Sequence, residues 1–196
     1  RGRALRADFM LLADDTLRLL GGATTSISAF ETVLGGAGTD VVTMLAADTI
    51  AASSVETLLG SSGTDVIEML GAGTMNISRI ETLLGSSGTD IARMMSAGGL
   101  TVSEVETVQG TTGTDNVTML AGVAMKVSNI ETVLGSAGTD VVTALASGSL
   151  AISEVETVVG FTGTDVITMQ AAGELTASAV ETVIGSASTT TDDVLE

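Results

Sequence analysis

The stretch Ile27–Leu45 reads I-S-A-F-E-T-V-L-G-G-A-G-T-D-V-V-T-M-L, and the chain writes it seven times. A step of 25 residues returns the same text with small edits and no insertion or deletion. Glu31 recurs as Glu56, Glu81, Glu106, Glu131, Glu156 and Glu181, each followed by Thr and, three residues later, by Gly. Asp40 recurs as Asp65, Asp90, Asp115, Asp140 and Asp165. A fixed period of this length marks a repeat architecture, in which each unit packs on its neighbours and the array is one body.

Within one unit the apolar pattern has period two, which means strand. In the unit starting at Asp140, Val142 and Ala144 alternate with Thr143, and Leu150 and Ile152 alternate with Ala151 and Ser153. Val155 then leads into Glu156, Thr157, Val158 and Val159. Small and Gly-rich segments separate these runs, and the Thr, Val and Ile enrichment favours strand over helix. The pattern predicts an all-β parallel β-solenoid of about seven coils, 25 residues and three short strands to a coil. Residues 25 apart then lie directly above one another. Arg93 falls one coil above Glu68, and Arg79 one coil below Glu104, as opposite-charge ladder neighbours. Residues 1–14 do not fit the repeat and are rich in helix formers, so they read as an N-terminal cap. The solenoid is expected over 15–189, followed by an acidic tail over 190–196. Opening on Arg1 rather than Met reads as a processed form or a piece of something longer.

Of the 196 residues, 44% are hydrophobic, ample for a continuous core. Pro, Cys, His, Trp and Tyr are absent, so there is no disulfide framework. The formal net charge is −17, from 24 acidic against 7 basic residues. That balance argues against nucleic acid and anionic membranes as partners. No window resembles a transmembrane helix or a signal peptide, and no membrane insertion is expected.

The turn G-G-A-G-T-D-V-V-T (Gly35 to Thr43) resembles the calcium-binding nonapeptide of the repeats-in-toxin family, G-G-x-G-x-D-x-hydrophobic-x. In that family glycine-rich turns of stacked coils bind Ca²⁺ between them. The later copies read G-S-S-G-T-D, G-T-T-G-T-D, G-S-A-G-T-D and G-F-T-G-T-D and lose the second Gly. The family sets such a loop every nine residues, on both edges of a flat roll. Here there is one per 25, so what carries over is one edge, with Asp40, Asp65, Asp90, Asp115, Asp140 and Asp165 as candidate Ca²⁺ ligands. The unit V-E-T-V-x-G-x-x-G-T-D also looks like the long β-strand repeats of large secreted bacterial surface proteins. Ca²⁺ takes six to eight oxygen ligands, and it would relieve carboxylates stacked ~5 Å apart. The alternative is that each Asp caps its own turn by accepting backbone N–H bonds.

Two further patterns stand out. The Glu ladder, Glu31 to Glu181, lies between an inward apolar residue and Thr, and reads as an outward, solvated acidic stripe. On the first strand Thr43, Glu68, Arg93, Thr118 and Thr143 mark the outer face, which sends their apolar neighbours outward too. Val41 with Leu45, Val66 with Leu70, Ile91 with Met95, and Val141 with Leu145 then form an apolar outer stripe of the kind that marks an interface. A bend at Met44 that turns Leu45 inward is the competing reading.

These features favour a non-enzymatic structural repeat protein at a bacterial cell surface or outside the cell. It is expected to be calcium-stabilised and to assemble with itself into a filament or layer. Arg1, Arg3 and Arg6 near the start and Asp192 and Asp193 near the finish suit end-to-end contacts, and the outer stripe suits lateral ones. A monomeric adhesin stalk or spacer is the nearest alternative. A polysaccharide-active β-helix enzyme lacks the long loops and Asp–Arg clusters it needs. An ice-binding face lacks its T-x-T strand, because Thr32 sits two residues from Phe30 and Leu34.

Overall fold

The computed structural model describes residues 15–186 together with the strand Val194–Leu195. Among them are twenty-two strands, from β1 (Thr16–Arg18) to β22 (Val194–Leu195), and no helix. The expected cap over 1–14 lies outside the described residues, as do Arg1, Arg3, Arg6, Asp192 and Asp193. Within the expected tail, Val194–Leu195 is a strand in parallel register with Glu174 and Leu175.

The chain is a parallel β-solenoid, as the alternation requires. Its coil is smaller than the repeat. Odd-numbered strands form one eleven-stranded sheet and even-numbered strands the other, each in sequence order. Every coil therefore holds two strands, and the solenoid has about ten turns. This corrects the expectation of seven three-stranded coils. Each repeat supplies three strands, such as Val41–Met44, Thr49–Ser53 and Thr57–Leu59. The third already belongs to the next coil, above the first: Val41 pairs with Thr57. One repeat thus spans one and a half coils, and two repeats make three. Successive repeats are related by a half-turn about the rod axis and exchange sheets.

The physical reason lies in what fills the interior. The inward residues are of moderate size: Val42, Met44, Ile50, Leu58, Ile67 and Leu83 are all buried. Aromatic residues make up only 2% of the chain. Interiors are packed without voids. Two facing sheets can be filled by one interdigitating layer of such side chains, whereas a three-sided coil encloses a wider core.

The sharp corner after the second strand of each repeat explains the strictest glycine. One non-glycine residue there has positive φ in every repeat: Ala29, Ser54, Arg79, Glu104, Asn129, Glu154 and Ala179, at 52–57°. This left-handed conformation costs an ordinary residue about 1 kcal/mol or more. It lets the chain reverse within three residues and points the corner's carbonyl at the coil below. A Cβ built on Gly85 would lie 1.7 Å from the carbonyl oxygen of Glu104, and one on Gly35 would lie 1.6 Å from that of Ser54. Only glycine fits under the corner. The pair forms a steric lock spaced 19 residues apart, which no local turn rule contains.

Two substitutions separate this contact from general glycine flexibility. Gly85→Ala should lower stability by ~3 kcal/mol or more, because the obstruction is backbone. Gly73→Ala, whose Cβ would meet nothing within 4 Å, should stay within ~0.5 kcal/mol of the parent. Urea denaturation of the two variants checks both.

Candidate functional site: carboxylate turns on both edges

Each G-x-x-G-T-D turn folds around its own aspartate. Asp40, Asp65, Asp90, Asp115 and Asp140 are fully buried, and Asp165 is nearly so. A carboxylate so placed is costly unless its oxygens are hydrogen-bonded. In Asp90, Oδ2 accepts from the Ser86 N–H at 2.6 Å and the Ser86 hydroxyl at 2.9 Å. Oδ1 accepts from the Gly73 N–H at 2.9 Å, in the coil below. Asp65, Asp115 and Asp140 repeat this arrangement with Ser61 and Asp48, Thr111 and Gly98, and Ser136 and Val123. Asp40 and Asp165 have the N–H partners alone, from Gly36 and Ala23 and from Phe161 and Gly148.

The departures from the toxin-repeat turn now have a physical role. The second Gly becomes Ser or Thr in Ser61, Ser86, Thr111 and Ser136, and each hydroxyl donates to the buried carboxylate. The same oxygens accept from Gly63, Gly88, Gly113 and Gly138 N–H. The turn is closed by its own hydrogen bonds.

The glutamates complete the arrangement from above. The Asp90 N–H donates to Glu106 Oε2 at 2.7 Å, and the Glu106 N–H returns a bond to the Asp90 carbonyl at 3.2 Å. The side-chain bond recurs in Glu31 with Asp15, Glu56 with Asp40, Glu81 with Asp65, Glu131 with Asp115, Glu156 with Asp140 and Glu181 with Asp165. The glutamates are therefore not the free outward stripe that alternation suggested. Each sits at a bend just before its strand, and its side chain folds back on the coil below to accept the aspartate N–H in place of a backbone carbonyl. Each Asp–Glu lock ties three consecutive coils. Glu104 and Arg79, by contrast, are exposed corner residues.

Because repeats alternate, so do the locks. Asp40, Asp90 and Asp140 occupy one edge, and Asp65, Asp115 and Asp165 the other. Successive locks on an edge are three coils apart, roughly 15 Å at the usual interstrand spacing. The ~5 Å carboxylate stack expected of residues 25 apart is not formed. Among the described residues, no group of three or more acidic side chains is arranged to hold a metal ion.

The expected charge ladders fail for the same reason. Glu68 lies in the odd sheet and Arg93 in the even one, where the Arg93 Nε–H donates to Gln109 Oε1 at 2.8 Å. Arg79 and Glu104 lie on opposite edges. The apolar stripe is real but divided. Val41, Leu45, Ile91, Met95, Val141 and Leu145 belong to the even side, and Val66 and Leu70 to the odd side. Leu45 is 65% exposed and Leu70 50%, so the strand does not bend them inward.

Set against known proteins, the chain matches no family model, no curated protein and no solved structure.

The lock makes a graded prediction for chemical denaturation. Asp90→Asn puts an amide N–H₂ against a backbone donor and should cost ~1–3 kcal/mol, with Asp90→Ala at least as severe. Glu106→Gln keeps an acceptor for the Asp90 N–H and should cost under ~1 kcal/mol, less than Glu106→Ala. Equal losses for Glu106→Gln and Glu106→Ala would mean that the bond to Asp90 contributes nothing.

Proposed function

We propose that this chain is a non-enzymatic structural rod that works as a spacer or scaffold element outside a bacterial cell. One observation carries the reading. The repeated carboxylates, the residues best suited to chemistry, are spent on backbone hydrogen bonds that hold coil to coil, at all six aspartates and all seven glutamates. A catalytic site needs a distinct cluster with free polar groups. The locks instead make the edges alike from end to end. The resemblance of the turns to the toxin repeats supports the extracellular setting.

In this reading the aspartates stabilise the rod without a cation. Oδ1 and Oδ2 already face N–H and O–H donors, whose positive ends oppose a metal at the same oxygens. Calcium stabilisation, the other role for these residues, predicts a different response. We expect the melting temperature to be unchanged, within a degree or two, between excess chelator and millimolar Ca²⁺. We also expect no depolymerisation of a panel of acidic and neutral polysaccharides. A large, saturable rise in melting temperature with Ca²⁺, abolished by Asp90→Asn and Asp115→Asn together, would replace the hydrogen-bond role with a calcium role. Release of oligosaccharides by purified protein would overturn the structural reading.

A further inference from the structure

We infer that the partner of each broad face is a second copy of this chain, and that the rods stack face to face without a closed end point. The inference rests on the reading of the chain as a structural rod and specifies how that rod associates.

Charge distribution is the first ground. The chain carries a formal net charge of −17. Yet in the described strands the only charged residues are Arg18 and Glu68 on the odd sheet, and Arg93, Lys126 and Glu174 on the even sheet. The acidic side chains are concentrated at the edges and corners. Two rods meeting face to face therefore bring together surfaces close to neutral, whereas edge-to-edge approach opposes acidic turns. Neutral faces on a strongly charged body direct like molecules to those faces.

Exposed apolar residues are the second ground. On the odd side Leu70 (50% exposed) is followed one coil later by Leu84, and Leu120 (55%) by Leu134 (38%). On the even side Leu45, Met95 and Leu145 recur at the same interval. The next coil carries a small residue at the neighbouring position: Leu84 pairs with Ser103 and Leu134 with Ser153. The odd face is thus ridged by leucines and notched by serines every three coils, and the even face carries Leu45, Met95 and Leu145 at the same pitch, with Ser78, Ser128 and Ser178 as its notches. Any two copies share this pitch, so their ridges and notches can remain in step along the whole rod. A partner with another period falls out of step.

Area is the third ground. Eleven strands at ~4.8 Å, with two to five residues each at ~3.3 Å, make a face of roughly 650 Å². Two such faces bury about 1,300 Å², within the range of stable interfaces.

The half-turn between successive repeats decides the outcome. It carries the odd face onto the even face, so what one face can bind the other can bind. Association through two opposite faces does not close and continues as a stack.

The test uses sedimentation of the full chain over a concentration series, with electron microscopy, in low and high salt. Wild type should grow without a limiting size, and more so in high salt, because screening relieves the repulsion between acidic edges. Leu84→Lys with Leu120→Lys and Leu134→Lys blocks the odd face and should truncate assembly at the dimer or below. Leu45→Lys with Met95→Lys and Leu145→Lys should do the same from the even face. All six together should leave a monomer. These side chains are exposed or half-exposed, and an unchanged circular dichroism spectrum confirms that the rod is intact. A wild type that stays monomeric at high concentration and high salt overturns the inference, but leaves a solitary spacer standing. A closed wild-type dimer contradicts the equivalence of the faces. A one-face variant that still grows without limit shows that assembly runs through other surfaces.

Discussion

A buried aspartate that must find donors in two coils is the interaction on which the rest of this rod depends. The Asp90 carboxylate cannot be satisfied by its own turn alone. It takes one N–H from Ser86 and another from Gly73 in the coil below, while its own N–H is taken by Glu106 from the coil above. Satisfying one aspartate, carboxylate and N–H together, therefore fixes the relative position of three coils. Gly85 lies against the same group: a Cβ there would be 3.1 Å from Asp90 Oδ2 as well as in collision with the Glu104 carbonyl. The invariance of the E-T-x-x-G spacing through the chain follows from this crowding.

Distributing one lock per repeat over a coil and a half also resolves an electrostatic problem. A lock in the same place on every coil would set carboxylates at the interstrand spacing, where like charges repel strongly. Alternating edges separate successive locks on one edge by roughly 15 Å rather than ~5 Å, which cuts the direct Coulomb repulsion between them to about a third. The chain thus uses acidic groups throughout its length with their mutual repulsion spread over both edges.

Much of the fold was legible in the sequence, and the failures have a common source. Period-two runs identify strands, and the inward placement of Val42 with Met44 and Ile67 with Met69 follows from Thr43 and Glu68 facing out. What 25-residue periodicity cannot distinguish is one coil per repeat from one and a half, since both return identical text at the same interval. The pairing of Val41 with Thr57 rather than with Val66 decides it, and that depends on how wide a core the side chains fill. The misplacement of Arg93 over Glu68, the stacked aspartates and the single apolar stripe all descend from that step. The glutamates depart from alternation for a different reason: alternation sets direction along a strand, and Glu106 sits at a bend before its strand, where its side chain accepts the Asp90 N–H. The Ser and Thr replacing the second Gly of the turn were the available signal for the closed hydrogen-bonded form. They are donors, and a buried carboxylate needs donors.

The central claim is the one-and-a-half-coil repeat, and engineered cysteines test it directly in a chain that contains none. Thr82 and Thr101 are register partners on adjacent strands of the odd sheet, whereas Glu68 and Arg93 lie on opposite sheets. Neighbouring strands hold Cα atoms ~5 Å apart, within reach of a disulfide. Under mild oxidation Thr82→Cys with Thr101→Cys should cross-link within one chain, and Glu68→Cys with Arg93→Cys should not. Cross-linking of the second pair and not the first would show that residues 25 apart are stacked, and would contradict this account of the fold.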